Sequence, residues 1–563
     1  MKKVLSILLA LIMTFSAMAI IASAAENELK VIVASDLHLS ERSFVPFTGN
    51  TADDAYAHVP SSGQLTPESN AIITAFLENA AKSDCDVVFI SGDITNAGIE
   101  EEHLIMAEKF AAFEAETGKD IYIIAGNHDL QRTDIDTFKS YYDAFGYENA
   151  LAVDTLSTSY TADINSEYRL LAIDSIDALT GVANITPERY EWIVQQCEQA
   201  VADGKKIIAM MHHNLLEHFI FGKKIHTHGG VNNYEEMAEM LASYGVQHIF
   251  TGHTHDQDIA VYTSASGKAI YDVVTNSING YPCQYRQVTF GDDVVFEEKT
   301  VTKIDISLLP DGLSAEAVAL ADSNFREYTK NCMWHGLRET FSGYLKPATL
   351  KDLLKLNEEE NTEFVKVFDK VSTKLCEALN YPLYTKDEQV AGKSIESLAK
   401  ANGNKIKASG YKDIIDLAIF LYQAHCLGDE NYPIYSDEVS VLSTAVTTVL
   451  NYALADLTAD EYTTALTFIC TMFDVEIPSW IITFASSGLS NSQGVNLLVS
   501  SVLSPLMVEF TVDDAPADNN VTLPGYGKTA ISSNENFFSK IMSFFQKIVD
   551  FLKSIAAYFQ NLV

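Results

Sequence analysis

Positive charge is scarce in this 563-residue chain: 38 Lys and Arg stand against 76 Asp and Glu, a formal net charge of −38. A surface so acidic repels phosphate backbones at long range, which argues against general nucleic-acid binding. A small anionic substrate stays admissible, because bound cations reverse the field locally. Cysteine is sparse as well, and the seven (Cys85, Cys197, Cys283, Cys332, Cys376, Cys426, Cys470) form no C-x-x-C pair. This excludes a zinc–thiolate pattern and a dense disulfide scaffold; the odd count leaves at least one thiol unpaired in a monomer, and mostly buried, apolar cysteines are expected. With 28 Gly, 13 Pro and 47% hydrophobic residues, the composition is neither fibrous nor disordered. Past the N-terminus no run is long and apolar enough to span a bilayer, and no internal repeat is visible.

What is present begins with Lys2 and Lys3, followed by an uncharged stretch from Val4 to Ala25 and the small residues Ala22-Ser23-Ala24. This reads as a signal peptide over residues 1–24, cleaved after Ala24, and hence a secreted or extracellular protein. The alternative is a membrane anchor formed by an uncleaved N-terminus. From Leu29 to about Val301, apolar runs alternate with helical patterns, the texture of an α/β domain over 25–302. Strands are expected at 30–34, 87–90, 121–125, 170–173, 207–211 and 248–251, each apolar enough to be buried on both faces. Thr66-Pro67-Glu68 and Thr186-Pro187-Glu188 read as helix starts, N-cap then Pro then acid. Residues 39–65 form a long polar stretch without periodicity, a functional or mobile loop. Helical periodicity takes over across 303–512, and only His335 and His425 of 14 His lie beyond 255. Residues 513–536 read as a polar linker, and 537–563 as an amphipathic helix.

Each expected strand of the first domain ends in polar residues where a loop should begin. These are Asp36-Leu37-His38, Gly92-Asp93, Gly126-Asn127-His128-Asp129, His212-His213-Asn214 and Gly252-His253-Thr254-His255. Ligands of α/β sheets bind beyond the carboxyl ends of the strands, so five loops aim Asp, Asn and His at one region. Carboxylates and imidazoles without thiolates select Mn, Fe, Zn, Co or Ni. Residues i and i+2 of Asp36-x-His38 and of His253-x-His255 share a face on extended backbone and can ligate together. Glycine before Asp93, Asn127 and His253 permits close approach of backbone. So many groups exceed what one open metal site takes; they fit two metals sharing a carboxylate.

This series of blocks, D-x-H, G-D, G-N-H-D, a strand-terminal His and G-H-x-H, resembles the calcineurin-like metallophosphoesterases over residues 29 to about 300. The resemblance implies a four-layer α/β/β/α sandwich, here followed by a mostly α-helical C-terminal domain. It implies two divalent ions (Mn, Fe or Zn), one on Asp36, His38, Asp93 and His255, the other on Asp93, Asn127, His212 and His253, with Asp93 bridging. His212, the first His after its strand, takes the ligand role. His213 points the other way, toward a supporting or substrate-facing position. His128 is expected to stabilise the transition state or protonate the leaving oxygen, with Asp129 orienting it. Asn96 stands where purple acid phosphatases place a Tyr ligand, so an iron–tyrosinate site is not expected. Asn96, His226 and His228 are the remaining substrate-facing candidates, a solvated turn being the competing reading for the last two. Gly92-Asp93-Ile94-Thr95-Asn96 is similar to the bacterial secreted cyclic-nucleotide-phosphodiesterase-like branch.

The expected function is therefore hydrolysis of a small phosphoester by a metal-bridging hydroxide. Phosphodiesters, cyclic nucleotides included, are favoured over monoesters; a non-catalytic metal-binding surface protein is the contrasting class. The helical region is expected to support the first domain. The 537–563 helix, apolar on one stripe and bearing Lys540, Lys547, Lys553 and Asp550, suits docking back onto its own domain or onto a membrane surface.

Overall fold

Apolar runs bounded by polar turns dictate where the sheets form. A computed structural model describes residues 28–177, 180–218, 230–354, 356, 362–472, 495, 511–513 and 515–528. The expected signal peptide, His226, His228 and the 537–563 helix lie outside the described residues. The strands are β1 (Leu29–Ala34), β2 (Val87–Ile90), β3 (Asp120–Ile123), β4 (Ala152–Val153), β5 (Tyr160–Asp163), β6 (Tyr168–Ile173) and β7 (Lys206–Met211). They continue with β8 (His248–Thr251), β9 (Asp258–Thr263), β10 (Ala269–Val274), β11 (Gln284–Phe290), β12 (Asp293–Thr300) and β13 (Val521–Pro524). One sheet has the order β13-β12-β11-β1-β2-β3 and the other β4-β5-β6-β7-β8-β10-β9. The first sheet is parallel at its β1-β2-β3 end and antiparallel from β1 to β13; the second is parallel across β6-β7-β8-β10 and antiparallel at both flanks.

Two-residue alternation sorts each strand between layers. Along β7, Ile208 and Met210 enter the core shared by the two sheets, while Ile207, Ala209 and Met211 face helices. The helices covering the first sheet are α1 (Ser69–Lys82) and α2 (Glu100–Thr117), which bury Ile72, Phe76, Met106 and Phe110. A shorter α3 (Ile135–Tyr141) follows; α4 (Pro187–Ala202) and α5 (Tyr234–Ser243) cover the second sheet through Ile193, Cys197, Met237 and Leu241. The result is a four-layer α/β/β/α arrangement, as the resemblance implies. Thr186 caps α4 as expected, accepting from Arg189 N. Thr66 does not cap α1: Thr66–Glu68 is a 3-10 turn leading into the helix. The six Cys whose side chains are described, Cys85 to Cys426, are all buried and free.

Beyond β12 the chain is helical: α6 (Ala315–Ser323), α7 (Phe325–Tyr344), α8 (Pro347–Leu353), α9 (Thr362–Leu379), α10 (Ile395–Ala401), α11 (Ile414–Leu427), α12 (Asp437–Leu454) and α13 (Ala459–Met472). Among the described residues no helix is long and apolar enough to cross a membrane. Helix α7 lies against the 39–65 stretch so closely that a Cβ on Gly336 would sit 2.4 Å from Pro60 O. There His58, Glu68 and Tyr328 form a buried polar triad, with His58 Nε2 3.0 Å from both Glu68 Oε1 and Tyr328 Oη. One expectation is corrected: residues 521–524, read as linker, are β13, paired antiparallel to β12 from Asp293↔Pro524 to Phe296↔Val521. Four residues are too few to show a period, yet Leu523 is fully buried and Tyr526 Oη donates to Ile207 O across to the second sheet.

Candidate metal centre

The turns after β1, β2 and β3 in one sheet and β7 and β8 in the other end at one place, so the site straddles both sheets. Asp36 N donates to Gly92 O at 3.1 Å and His38 N to Asp93 O at 2.9 Å, locking the first two turns in register. Asp36, His38, Asp93, His253 and His255 all adopt left-handed backbone, with φ between 44° and 71°. For non-glycine residues such geometry costs about 1–3 kcal/mol each and persists only where the surroundings over-determine it. Two glycines make room for this crowding. A Cβ on Gly126 would lie 2.1 Å from Asp93 Oδ1, and one on Gly252 would lie 1.8 Å from Ser35 Oγ and 2.4 Å from Asp36 Oδ2.

The side chains converge as two linked groups. In the first, His255 Nε2 is 3.2 Å from Asp36 Oδ1 and 3.3 Å from His38 Nε2. In the second, Asn127 Oδ1 is 2.9 Å from His253 Nδ1 and 3.1 Å from His212 Nε2, and those two nitrogens are 3.3 Å apart. Asp93 Oδ2 stands between the groups, 3.7 Å from His38 Nε2 and 3.3 Å from His212 Nε2. Its other oxygen accepts from His128 N at 2.8 Å. His212 Nδ1 lies 2.9 Å from Ser91 O, so a proton there leaves Nε2 as the lone-pair nitrogen. Imidazole nitrogens facing one another around two carboxylates and an amide oxygen fit divalent cations better than each other.

The charges are tightly interlocked. Burial alone would raise the Asp36 carboxyl, but His255 and His38 hold it well below the ordinary range. Burial opposes ionisation of Asp93 too, and the His212 and His128 rings outweigh it and lower it. Burial disfavours a charged His212, yet Asp93 raises it to about 9. Burial pushes His253 down to about 3. His255 is a quarter exposed and marks the side of the pocket that meets solvent.

All seven expected ligand candidates are therefore brought together, with His128 beside them: its ring centroid is 4.7 Å from that of His38. Its orienter is not Asp129. His128 Nδ1 lies 2.6 Å from Asn96 O, so the role of Asn96 is played by its carbonyl. The Asp129 carboxylate is fully buried and accepts instead from Ile94 N, Thr95 N, Thr95 Oγ1 and Gly126 N at 2.8–3.1 Å. It faces away because the loop holding it must satisfy the donors of the neighbouring turn. His213 is fully buried rather than turned to substrate, with Nδ1 2.8 Å from Ser175 Oγ and its ring centroid 4.3 Å from that of His253. Ser175 went unnoticed in the sequence, although the polar pair Asp174-Ser175 follows β6 as other site residues follow their strands.

Residues 29–257 match the model of the family described as Calcineurin-like phosphoesterase. A probable glycerophosphodiester phosphodiesterase GpdQ from Arcobacter nitrofigilis is 26% identical over 208 residues, covering 35% of this chain and 68% of that protein. Among solved structures, a dimetal phosphatase from Danio rerio aligns with a TM-score of 0.36 at 11% identity, over 49% of this chain and 98% of its own. A purple acid phosphatase from yellow lupin (Lupinus luteus) aligns with a TM-score of 0.33 at 14% identity, over 49% of this chain and 52% of its own.

Proposed function

We propose that this chain is a secreted phosphoesterase with two divalent ions, Mn, Fe or Zn, that hydrolyses small phosphodiesters, cyclic nucleotides among them. The observation that carries the reading is Asp93 Oδ2, set between the Asp36–His38–His255 group and the Asn127–His212–His253 group. Two ions held there would lower the pKa of bound water toward ~7 and draw charge from the phosphoryl oxygens. Asn127 contributes a neutral oxygen, which limits the negative charge that an anionic ester meets. His128 donates Nδ1–H to Asn96 O, leaving Nε2 to hold or deliver the proton that the departing oxygen needs. Support for a phosphoester comes from the family match, and for a diester from the phosphodiesterase name of the Arcobacter protein.

The test uses purified full-length protein loaded with Mn2+ and the chromogenic substrates bis(p-nitrophenyl) phosphate and p-nitrophenyl phosphate. Faster turnover of the diester is expected. Activity confined to the monoester removes the diesterase assignment, and a protein that takes up no metal removes the catalytic reading. N-terminal sequencing of protein recovered from culture medium should begin at Ala25; an intact Met1 in the membrane fraction would instead identify an anchored form.

A further inference from the structure

The left-handed turn carrying His253 and His255 (φ 71° and 60°) is anchored on its first side within the pocket, where His253 N donates to Asp36 Oδ2 at 2.9 Å. Its other side, Asp256 and Gln257, is buried against the helical region. His425 in the last turn of α11 places Nε2 3.5 Å from Asp256 Oδ1 and Nδ1 2.7 Å from Glu430 Oε1. Beyond the helix, Gly428 packs so tightly that a Cβ there would lie 2.6 Å from Gln257 O. The final carbonyls of α11 lack partners within the helix, as at any helix end, and the α/β domain supplies them. Asn276 Nδ2 donates to Cys426 O at 2.9 Å and Gln284 Nε2 to Leu427 O at 3.2 Å. Asn276 N in turn donates to Gln257 Oε1 at 3.1 Å, closing the circuit back to the turn. Burial works against a charge on His425, but Asp256 and Glu430 raise it to about 9, so a cation sits at the C-terminal, negative end of α11.

We propose that His425 is a positioning residue for the metal pocket, holding the turn of His253 and His255 in its left-handed geometry through Asp256. The helical region thereby supports the metal centre from behind. This rests on the reading that the pocket binds two divalent ions. An outer partner of a metal ligand sets ligand direction, and its loss typically weakens metal binding about 10–100-fold.

The experiment is a Mn2+ titration of full-length protein by calorimetry, resolving two binding events. For His425→Gln, both affinities should fall, that of the His255 group about 10-fold or more because Asp256 adjoins His255, and that of the His253 group less because Asp36 Oδ2 also holds His253 N; His425→Lys should recover much of the loss. Arg338→Met cuts the Arg338–Asp413 pair, which joins α7 to α11 away from the turn. It should lower thermal stability while keeping both affinities. Wild-type affinities in His425→Gln, or an equal affinity loss in Arg338→Met, overturn the proposal. If His425→Gln does not fold, Asp256→Asn removes the same pair from the other side, and unchanged affinities there overturn it equally. A wild-type protein that binds no metal fails the functional reading instead, so the two failures are distinct.

Discussion

Replacing Asp129 by Asn separates two roles that the same residue could have. The carboxylate takes two N–H donors on Oδ2 (Ile94 at 3.1 Å, Gly126 at 2.9 Å) and Thr95 N and Oγ1, both at 2.8 Å, on Oδ1. Burial first, and then the Asp93 charge, raise its pKa to about 7, so the comparison belongs at pH 8, where the wild-type group is ionised. With the new amide nitrogen at the Oδ2 position, two backbone donors are orphaned. With it at the Oδ1 position, the Thr95 hydroxyl can rotate to accept, and only Thr95 N–H is left unpaired. The second arrangement is cheaper, and one buried unpaired donor costs about 1–3 kcal/mol. Removing a buried charge beside Asp93 offsets part of this, and the expected net loss is about 1–2 kcal/mol. Urea titration should then show a lower midpoint with an unchanged slope, accompanied by weaker Mn2+ binding, because the 93–96 and 126–129 turns loosen together. A wild-type midpoint and intact metal binding, with kcat/KM reduced 10-fold or more, would refute the argument and return Asp129 to a role exerted on His128.

Gly252→Ala should abolish high-affinity Mn2+ uptake, since its Cβ would occupy the space of Asp36 Oδ2; calorimetry showing two unchanged sites would contradict the packing argument. His218 is buried between Asp258 and Asp272, whose carboxylates overcome the burial penalty and raise it to about 10. Its stabilising contribution is therefore complete below about pH 6.5, declines as the pH rises, and is gone above about pH 10. The urea midpoint should fall across that window and fall less in His218→Gln; a flat wild-type profile would count against the pairing. His248 has both ring nitrogens buried among aromatic rings without a hydrogen-bond partner among the described residues, and burial pushes it down to about 3. His248→Leu should raise stability by about 1 kcal/mol, and a lowered urea midpoint would show that ring packing outweighs the orphaned nitrogens.

The strands that could be read from sequence are those whose physics is local. β1, β2, β7 and β8 lie inside their sheets with both faces covered, so burial writes itself as an unbroken apolar run. β12 reads DVVFEEKT because it carries charge on its open face, and its partner β13 is four residues amid polar ones. Its membership is decided by pairing with a strand more than two hundred residues earlier, which no local window contains. The metal candidates were legible for a related reason: each sits immediately after a buried run, where Asp, Asn or His has little other cause to cluster. What supports them was not. The Asn96 carbonyl under His128, Ser175 under His213 and His425 behind Asp256 act through groups that have no characteristic spacing. Asp129 turns away from His128 because neighbouring residues on a tight turn need not point the same way.

The closing of the first sheet by β13 also has a consequence for synthesis. Residues 301–520, 220 in all, separate β12 from β13. At ~5–20 residues per second, the ribosome takes about 10–45 s to deliver the missing strand. Throughout that interval the β12 edge has no neighbour, Arg286 lacks the Asp518 carbonyl that meets its guanidinium, and the hollow filled by Leu523 stays open. An unpaired edge is a template for another chain. Glu297, Glu298 and Lys299 continue β12 past the four residues that β13 pairs, so their charges disfavour pairing with another chain both during the wait and afterwards.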